Sequence, residues 1–336
     1  MTADTLSAST LPIIDIGPYL PGSCASDAQR AETAAALHAA CRDFGFFYLR
    51  VNPFVDDAER AQLLNYGREF FALPQIEKDT IHTQANTGYG VRGYQRMRQN
   101  VTAGKADHHE GLDFFAPSPF PPGSIGPLAG ENQWPTNPEG MRDALKAWIE
   151  KMHVLGKATM QGMADGLGLT TAEWDELWAL CQDSFWSMRV IGYPPLPPGA
   201  DGKSCGEHKD YGCLTFLHAD ACPGSLQVLS RMGGWINADM IPGCMVVNIG
   251  AMWERWTGGL WPATLHRVIH NGQTFRVSHP FFFEPAFDAP CKLLPAAVRR
   301  AREEGRESQL RDQGVIEYGE YLLGKVTTNF KYDDEL

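Results

Sequence analysis

From Phe185 to Glu284 the chain is a succession of short apolar runs cut by turn residues. The runs are Phe185 to Tyr193, Leu214 to Ala219, Leu226 to Leu229, Met245 to Ile249, His266 to Ile269 and Thr274 to Glu284. Between them stand Pro194-Pro195, Gly233-Gly234, Pro242-Gly243 and Asn271-Gly272. Strands this short, separated at this spacing, specify an all-β sandwich or barrel. Asn271-Gly272 between two runs is the strongest local hairpin signal in the chain.

The flanking segments have a different texture. Short strands are expected at 11–16 and 44–49, and helices at 26–42, 56–73, 138–167 and 171–180. The third helix carries its apolar stripe on Trp148, Met152, Leu155, Thr159 and Met163. Residues 83–100 read as a loop or irregular strand pair, and 115–138 as a long surface connection rich in Pro and Gly. A charged helix is expected over 293–312, followed by a polar tail. There is no internal repeat. The chain therefore reads as one domain, 1–336. Residues 1–183 are mostly helical and contribute strands to the core, 184–285 form the β-core, and 286–336 a C-terminal helix and tail.

Charge narrows the partners. Forty acidic and 29 basic side chains give the 336 residues a net charge of -11. That balance argues against nucleic acid or an anionic membrane surface, both of which attract positive patches. No run reaches the ~18 apolar residues of a membrane helix, and Met1 to Thr10 lacks the pattern of a secretory signal. The eight cysteines are dispersed without a C-x-x-C pair, which suits reduced thiols and disfavours a cysteine zinc site. A cytoplasmic, monomeric protein acting on a small molecule is expected.

Gly206-Glu-His208-Lys-Asp210 is the most informative segment. Residues two apart on an extended strand face the same side, so the His208 imidazole and the Asp210 carboxylate converge. His266 opens another expected strand 56 residues after Asp210. Two imidazoles and one carboxylate make a facial triad, which suits Fe(II) and leaves positions open for exogenous ligands. Ten residues further on, Arg276 and Ser278 share one face of a strand. A guanidinium fork beside a hydroxyl is a receptor for a carboxylate. Phe282 has the same parity. Arg189, Ile191 and Tyr193 share a face upstream, from which Tyr193 can donate a second hydrogen bond to that carboxylate. An isolated His-x-Asp is usually a solvated loop; it is the ordered set that points to a site. No metal role is expected for His38, His108, His109, His153, His218, His270 or His279.

These motifs resemble, over most of the chain, the isopenicillin N synthase-like family of Fe(II)- and 2-oxoglutarate-dependent dioxygenases. Leu11-Pro-Ile-Ile-Asp-Ile16 is similar to the family's opening, Phe44-Gly-Phe-Phe-Tyr48 to its "GFF" strand, and Gly93-Tyr94 and His109-Glu-Gly-Leu-Asp-Phe114 to its "GY" and "EGxDF" segments. Gly192-Tyr-Pro-Pro195, His208-x-Asp210, Asn248-Ile-Gly250, His266-Arg-Val268 and Arg276-x-Ser278 follow in its order and spacing. The resemblance implies a β-rich α+β fold, a double-stranded β-helix (jelly roll) wrapped by N-terminal and C-terminal helices. It implies His208, Asp210 and His266 as iron ligands, and Arg276, Ser278 and Tyr193 as the 2-oxoglutarate site. Fe(II), 2-oxoglutarate and O2 are the expected cofactor and co-substrates. Ile191 and Ala251 stand where the family commonly has Asn and Asp, and Trp253, Trp256 and Trp261 are bulkier than its usual pattern. These departures bear on the substrate rather than the chemistry.

The expected reaction is hydroxylation or desaturation of a C–H bond with release of succinate and CO2, of the kind found in secondary metabolism. Arg189, Phe282, Leu112, Phe114 and Trp253 are the candidate substrate contacts, and the aromatic excess suggests an apolar or aromatic metabolite. Arg189 offers a partner for a carboxylate or phenolate on it. No residue beyond the metal ligands needs a catalytic role. Two rivals stand beside this reading: a non-haem iron oxidase that dispenses with 2-oxoglutarate, and a non-catalytic jelly-roll binding protein.

Overall fold

A computed structural model of the chain describes residues 10–83, 90–102, 104–118, 121, 126–196, 204–270 and 272–329. The large sheet has eight strands in the order β1 (Ile13–Asp15), β2 (Phe46–Arg50), β12 (Cys244–Ile249), β9 (Leu214–Ala219), β14 (Arg276–Phe283), β7 (Ser187–Tyr193), β6 (Glu110–Phe115) and β3 (Gly93–Gln95). Only β1 and β2 pair in parallel. A four-stranded antiparallel sheet runs β11 (Trp235–Asn237), β10 (Leu226–Leu229), β13 (His266–Val268) and β8 (Cys205–His208). Two short ribbons, β4 (Val101–Thr102) with β5 (Lys105–Ala106) and β15 (Pro290–Cys291) with β16 (Ile316–Glu317), complete the pairing.

The alternation of side chains along each strand splits the apolar residues into two clusters. Ile191, Tyr193, Leu226, Val228, Ile236, Val246 and Val268 fill the space between the two sheets. Val190, Phe216, Val247, Val277 and Phe281 face the other way, into a larger cluster shared with the helices. This is the jelly-roll sandwich with a helical coat on its broad outer face.

The coat comprises α1 (Asp27–Asp43), α2 (Asp57–Phe71), the short α3 (Gln75–Lys78), α4 (Met141–Leu167) and α5 (Thr171–Ala179). Ser26 and Gln29 close α1 with a capping box, and Thr170 with Glu173 does the same for α5. Trp148, Met152, Leu155, Thr159 and Met163 are all buried on α4. Helix α6 (Ala251–Trp256) follows β12, and α7 (Pro295–Glu303) follows the core.

Three expectations are corrected. The strands flanking Asn271-Gly272 do not pair with each other: β13 lies in the small sheet and β14 in the large one, so this segment crosses between sheets. Asn271 itself lies outside the described residues, as do parts of the 83–100 and 115–138 segments. The charged helix stops at Glu303, ahead of Gly305 with its left-handed φ of 67°. The polar tail contains a helix, α8 (Tyr318–Asn329).

Between the large sheet and the coat sit two buried imidazoles, His218 and His279, stacked with ring centroids 5.0 Å apart. Burial holds both below the ordinary histidine range, His279 at about 3. On unfolding each titrates near 6.5, so the unfolded chain binds more protons between those limits. Stability should therefore fall as pH drops below 6.5, by up to ~1.4 kcal/mol per unit for each group. Melting curves between pH 7 and 4.5 should show a shallower fall for His279→Leu than for wild type. Equal slopes would refute the assignment.

Candidate metal centre and cavity

His208 ends β8 and His266 opens β13, and the two face each other in register across the small sheet. Asp210 follows in the turn after β8. Its backbone carbonyl accepts the Ala251 N–H at 2.9 Å. Its Oδ2 accepts from Asn248 Nδ2 at 2.7 Å and from the Thr215 hydroxyl. Both donors stand on the inner face of the large sheet. Asp210 is thus tied to the sheet opposite its own chain neighbour His208.

The remaining carboxylate oxygen, Oδ1, lies 3.7 Å from His208 Nε2 and 3.6 Å from His266 Nε2. Two bonds of about 2.1 Å to a shared ion separate their donor atoms by at most ~4.2 Å, so these pairs suit a metal. The tautomers suit it too. Nδ1 of His208 lies 2.8 Å from the Gly206 carbonyl and Nδ1 of His266 lies 3.1 Å from the Thr264 carbonyl. A carbonyl can only accept, so each Nδ1 carries a proton and Nε2 is the ring nitrogen left to meet an ion. Burial, then the neighbouring His208 charge, pushes His266 down to about 4. Burial opposes ionisation of Asp210, yet the two imidazoles and the Asn248 and Thr215 donors hold it below its ordinary value.

Arg276 begins β14 opposite Tyr193 on β7. Val277 and His279 pack on α2 at Gly67, so Arg276 and Ser278 face the sandwich interior. Arg276 is 2% exposed and lies over the Tyr193 ring, its carbon 4.9 Å from the centroid. Among the described residues its Nε and Nη1 have no hydrogen-bond partner. Burial pushes the Tyr193 phenol up to about 12, which keeps it a neutral donor. A buried guanidinium with donors to spare fits a carboxylate from a ligand.

Beside the triad is a cavity of about 180 Å³ that reaches His208 and Asp210. Arg189 and Phe282 line it, as the sequence suggests. Arg189 Nε donates to Asp113 Oδ1 at 2.7 Å and Nη2 to Asn100 Oδ1 at 2.8 Å. Leu112, Phe114 and Trp253 do not line it. On β6 the cavity takes the opposite parity, Asp113 and Phe115; Leu112 and Phe114 point into the helix-side core, where Phe114 stacks on Trp134 at 4.3 Å. Trp253 packs against Trp256 and Trp261 in the same core. The residues the sequence reading missed are Asp107, His109, Asp113, Glu284 and the α8 face of Tyr318, Leu322 and Val326. Glu284 continues the parity of 276, 278 and 282, and Tyr318, Leu322 and Val326 recur at helical steps of four. Either signal could have found them.

Comparison with known proteins agrees with this geometry. Residues 11–137 match the family described as non-haem dioxygenase in morphine synthesis N-terminal, and residues 185–285 match the 2OG-Fe(II) oxygenase superfamily. The chain is 36% identical to homoarginine-6-hydroxylase of Oryza sativa subsp. japonica, covering 95% of this chain and 97% of that protein. It is 37% identical to an Arabidopsis thaliana homoarginine-6-hydroxylase, covering 96% of this chain and 89% of that one. The solved structure of a Neurospora crassa protein in complex with alpha-KG and thymine superposes with a TM-score of 0.79 at 23% identity, covering 96% of this chain and 98% of that one. That last likeness concerns the fold.

The chain belongs to the 2OG-Fe(II) oxygenase superfamily. It is an Fe(II)- and 2-oxoglutarate-dependent dioxygenase that hydroxylates its substrate at the expense of O2 and 2-oxoglutarate. No described helix is long and apolar enough to cross a membrane.

Proposed function

We propose that His208 Nε2, Asp210 Oδ1 and His266 Nε2 hold Fe(II). Arg276 and Ser278, with Tyr193, hold the distal carboxylate of 2-oxoglutarate, and the adjoining cavity holds the substrate. The observation that carries the reading is the convergence of two Nε2 atoms, each on a ring whose Nδ1 is committed to a backbone carbonyl, on one free carboxylate oxygen. When bound, the iron with 2-oxoglutarate and O2 supplies the oxidant for the C–H bond, and succinate and CO2 leave. The protein's part is placement. Asn248 and Thr215 aim Asp210, the Gly206 and Thr264 carbonyls aim the imidazoles, and Arg276 fixes the far end of the co-substrate. The apolar side chains Phe282, Leu322 and Val326 help to keep water away.

For the substrate we propose an amino acid with a basic side chain, homoarginine or a close analogue. The relatives named above support it. So does the wall of the cavity, in which the Glu284 carboxyl, with no cationic partner among the described residues, would stand uncompensated against the apolar or aromatic metabolite suggested by composition. Purified protein supplied with Fe(II), 2-oxoglutarate and O2 should form succinate in step with a product one oxygen atom heavier than homoarginine. Substrate oxidation without succinate would sink the 2-oxoglutarate assignment. Background-level succinate with homoarginine, arginine and lysine alike would sink the substrate class.

A further inference from the structure

The carboxylates around the cavity are matched, save one. Asp210 has its two donors and faces the imidazoles. Asp113 is paired with Arg189 and accepts from Gln95 Nε2 at 2.7 Å. Asp107 accepts from the Thr102 hydroxyl at 2.7 Å and the Gly206 N–H at 2.9 Å. Glu284 is 5% exposed and accepts a single N–H, that of Cys213, at 2.9 Å. Among the described residues no Lys, Arg or His nitrogen lies within 4.0 Å of it. The Tyr318 hydroxyl adjoins it but lacks a well-formed hydrogen bond. The backbone makes room for this carboxylate: a Cβ on Gly212 would fall 1.0 Å from Glu284 Oε2.

We infer that Glu284 seats the cationic head of the substrate, a guanidinium or ammonium group, and thereby sets the preference for a charged over a neutral side chain. The inference rests on the cavity being the substrate site, as proposed above. A buried carboxylate without a counter-ion is costly, and the usual remedies are a partner cation or protonation. Here no side chain supplies the cation, while the group opens on a cavity that a ligand enters. Leu322 and Val326 on α8, with Phe282 on β14, give the wall apolar faces for an alkyl stem.

The alternative is a structural, protonated Glu284 that merely accepts from Cys213, and glutamine would imitate it. The test compares wild type, Glu284→Gln and Glu284→Asp on a guanidino amino acid and on its neutral ureido isostere, following succinate. Wild type should favour the guanidino compound by about a hundredfold or more in kcat/KM. Glu284→Gln should lower kcat/KM for that compound by a similar factor and shrink the preference below about tenfold, and Glu284→Asp should recover part of both. All three should keep the absorbance of the Fe(II)–2-oxoglutarate chelate and the slow decarboxylation without substrate. A Glu284→Gln enzyme within threefold of wild type on the guanidino compound, or a wild type indifferent to the two compounds, would overturn the inference. Loss of the chelate in wild type itself would instead overturn the site assignment beneath it.

Discussion

Asp210→Ala should lose Fe(II) binding and reduce 2-oxoglutarate-dependent turnover by ~1,000-fold or more, since a metal contributes several kcal/mol to such a reaction. The size follows from how the carboxylate is used. One oxygen faces both imidazoles within 3.7 Å, while the other is held by Asn248 and Thr215. Alanine removes the single anionic ligand and also leaves two buried donors without an acceptor. Asn248→Ala should be milder, about 10–100-fold in metal affinity, because it loosens the aim of the carboxylate without removing it. Titration of each apoprotein with Fe(II), alongside succinate formation, separates the two effects. Unchanged iron affinity in Asp210→Ala would remove Asp210 from the metal site.

Much of this centre is readable in the sequence because a strand has a period of two. Arg276 with Ser278 and Phe282, and Arg189 with Tyr193, each share a face by arithmetic alone; Asp210 meets His208 as the sequence expects, but from the turn after β8 and through its bonds to Asn248 and Thr215 rather than by strand parity. Parity gives the relative facing of residues on one strand; it does not say which face meets the cavity. On β6 that second question needs the partner strand. Asp113 stands opposite Arg189 in the register with β7, so it and not Leu112 or Phe114 turns to the site. Trp253 reads as a pocket residue by its place after Asn248-Ile-Gly250, but α6 turns it into the helix-side core. The hairpin signal at Asn271-Gly272 is local chemistry overridden by tertiary pairing, since the following strand finds its neighbours in the other sheet. Helix α8 is hidden in the sequence because its apolar positions are diluted by Gly319, Gly324 and polar neighbours; its stripe has a reason only once there is a cavity for Tyr318, Leu322 and Val326 to cover.

Arg276→Met should raise the KM for 2-oxoglutarate by ~100–1,000-fold, the usual cost of losing one partner of a buried charge pair. Net charge cannot make up the loss: the chain carries -11, and its overall field repels a dianion. Recognition must then come from cationic groups at the site itself, the metal and this guanidinium. The same substitution should have an opposite effect on the free protein. Arg276 is buried with Nε and Nη1 unpartnered among the described residues, a charge stored for a ligand at the expense of the unliganded fold. Replacing it with an apolar chain of similar length should leave the Tm of the apoprotein unchanged or higher. Wild type should gain stability as 2-oxoglutarate is added with Fe(II), by ~2.7 kcal/mol at a hundred times Kd, and Arg276→Met should gain little. Arg276→Lys keeps the charge but not the fork, so it should fall between the two. Thermal melts with and without 2-oxoglutarate, set beside KM, test both halves together. A variant that loses activity while still stabilised by 2-oxoglutarate as wild type is would show that the carboxylate is held elsewhere.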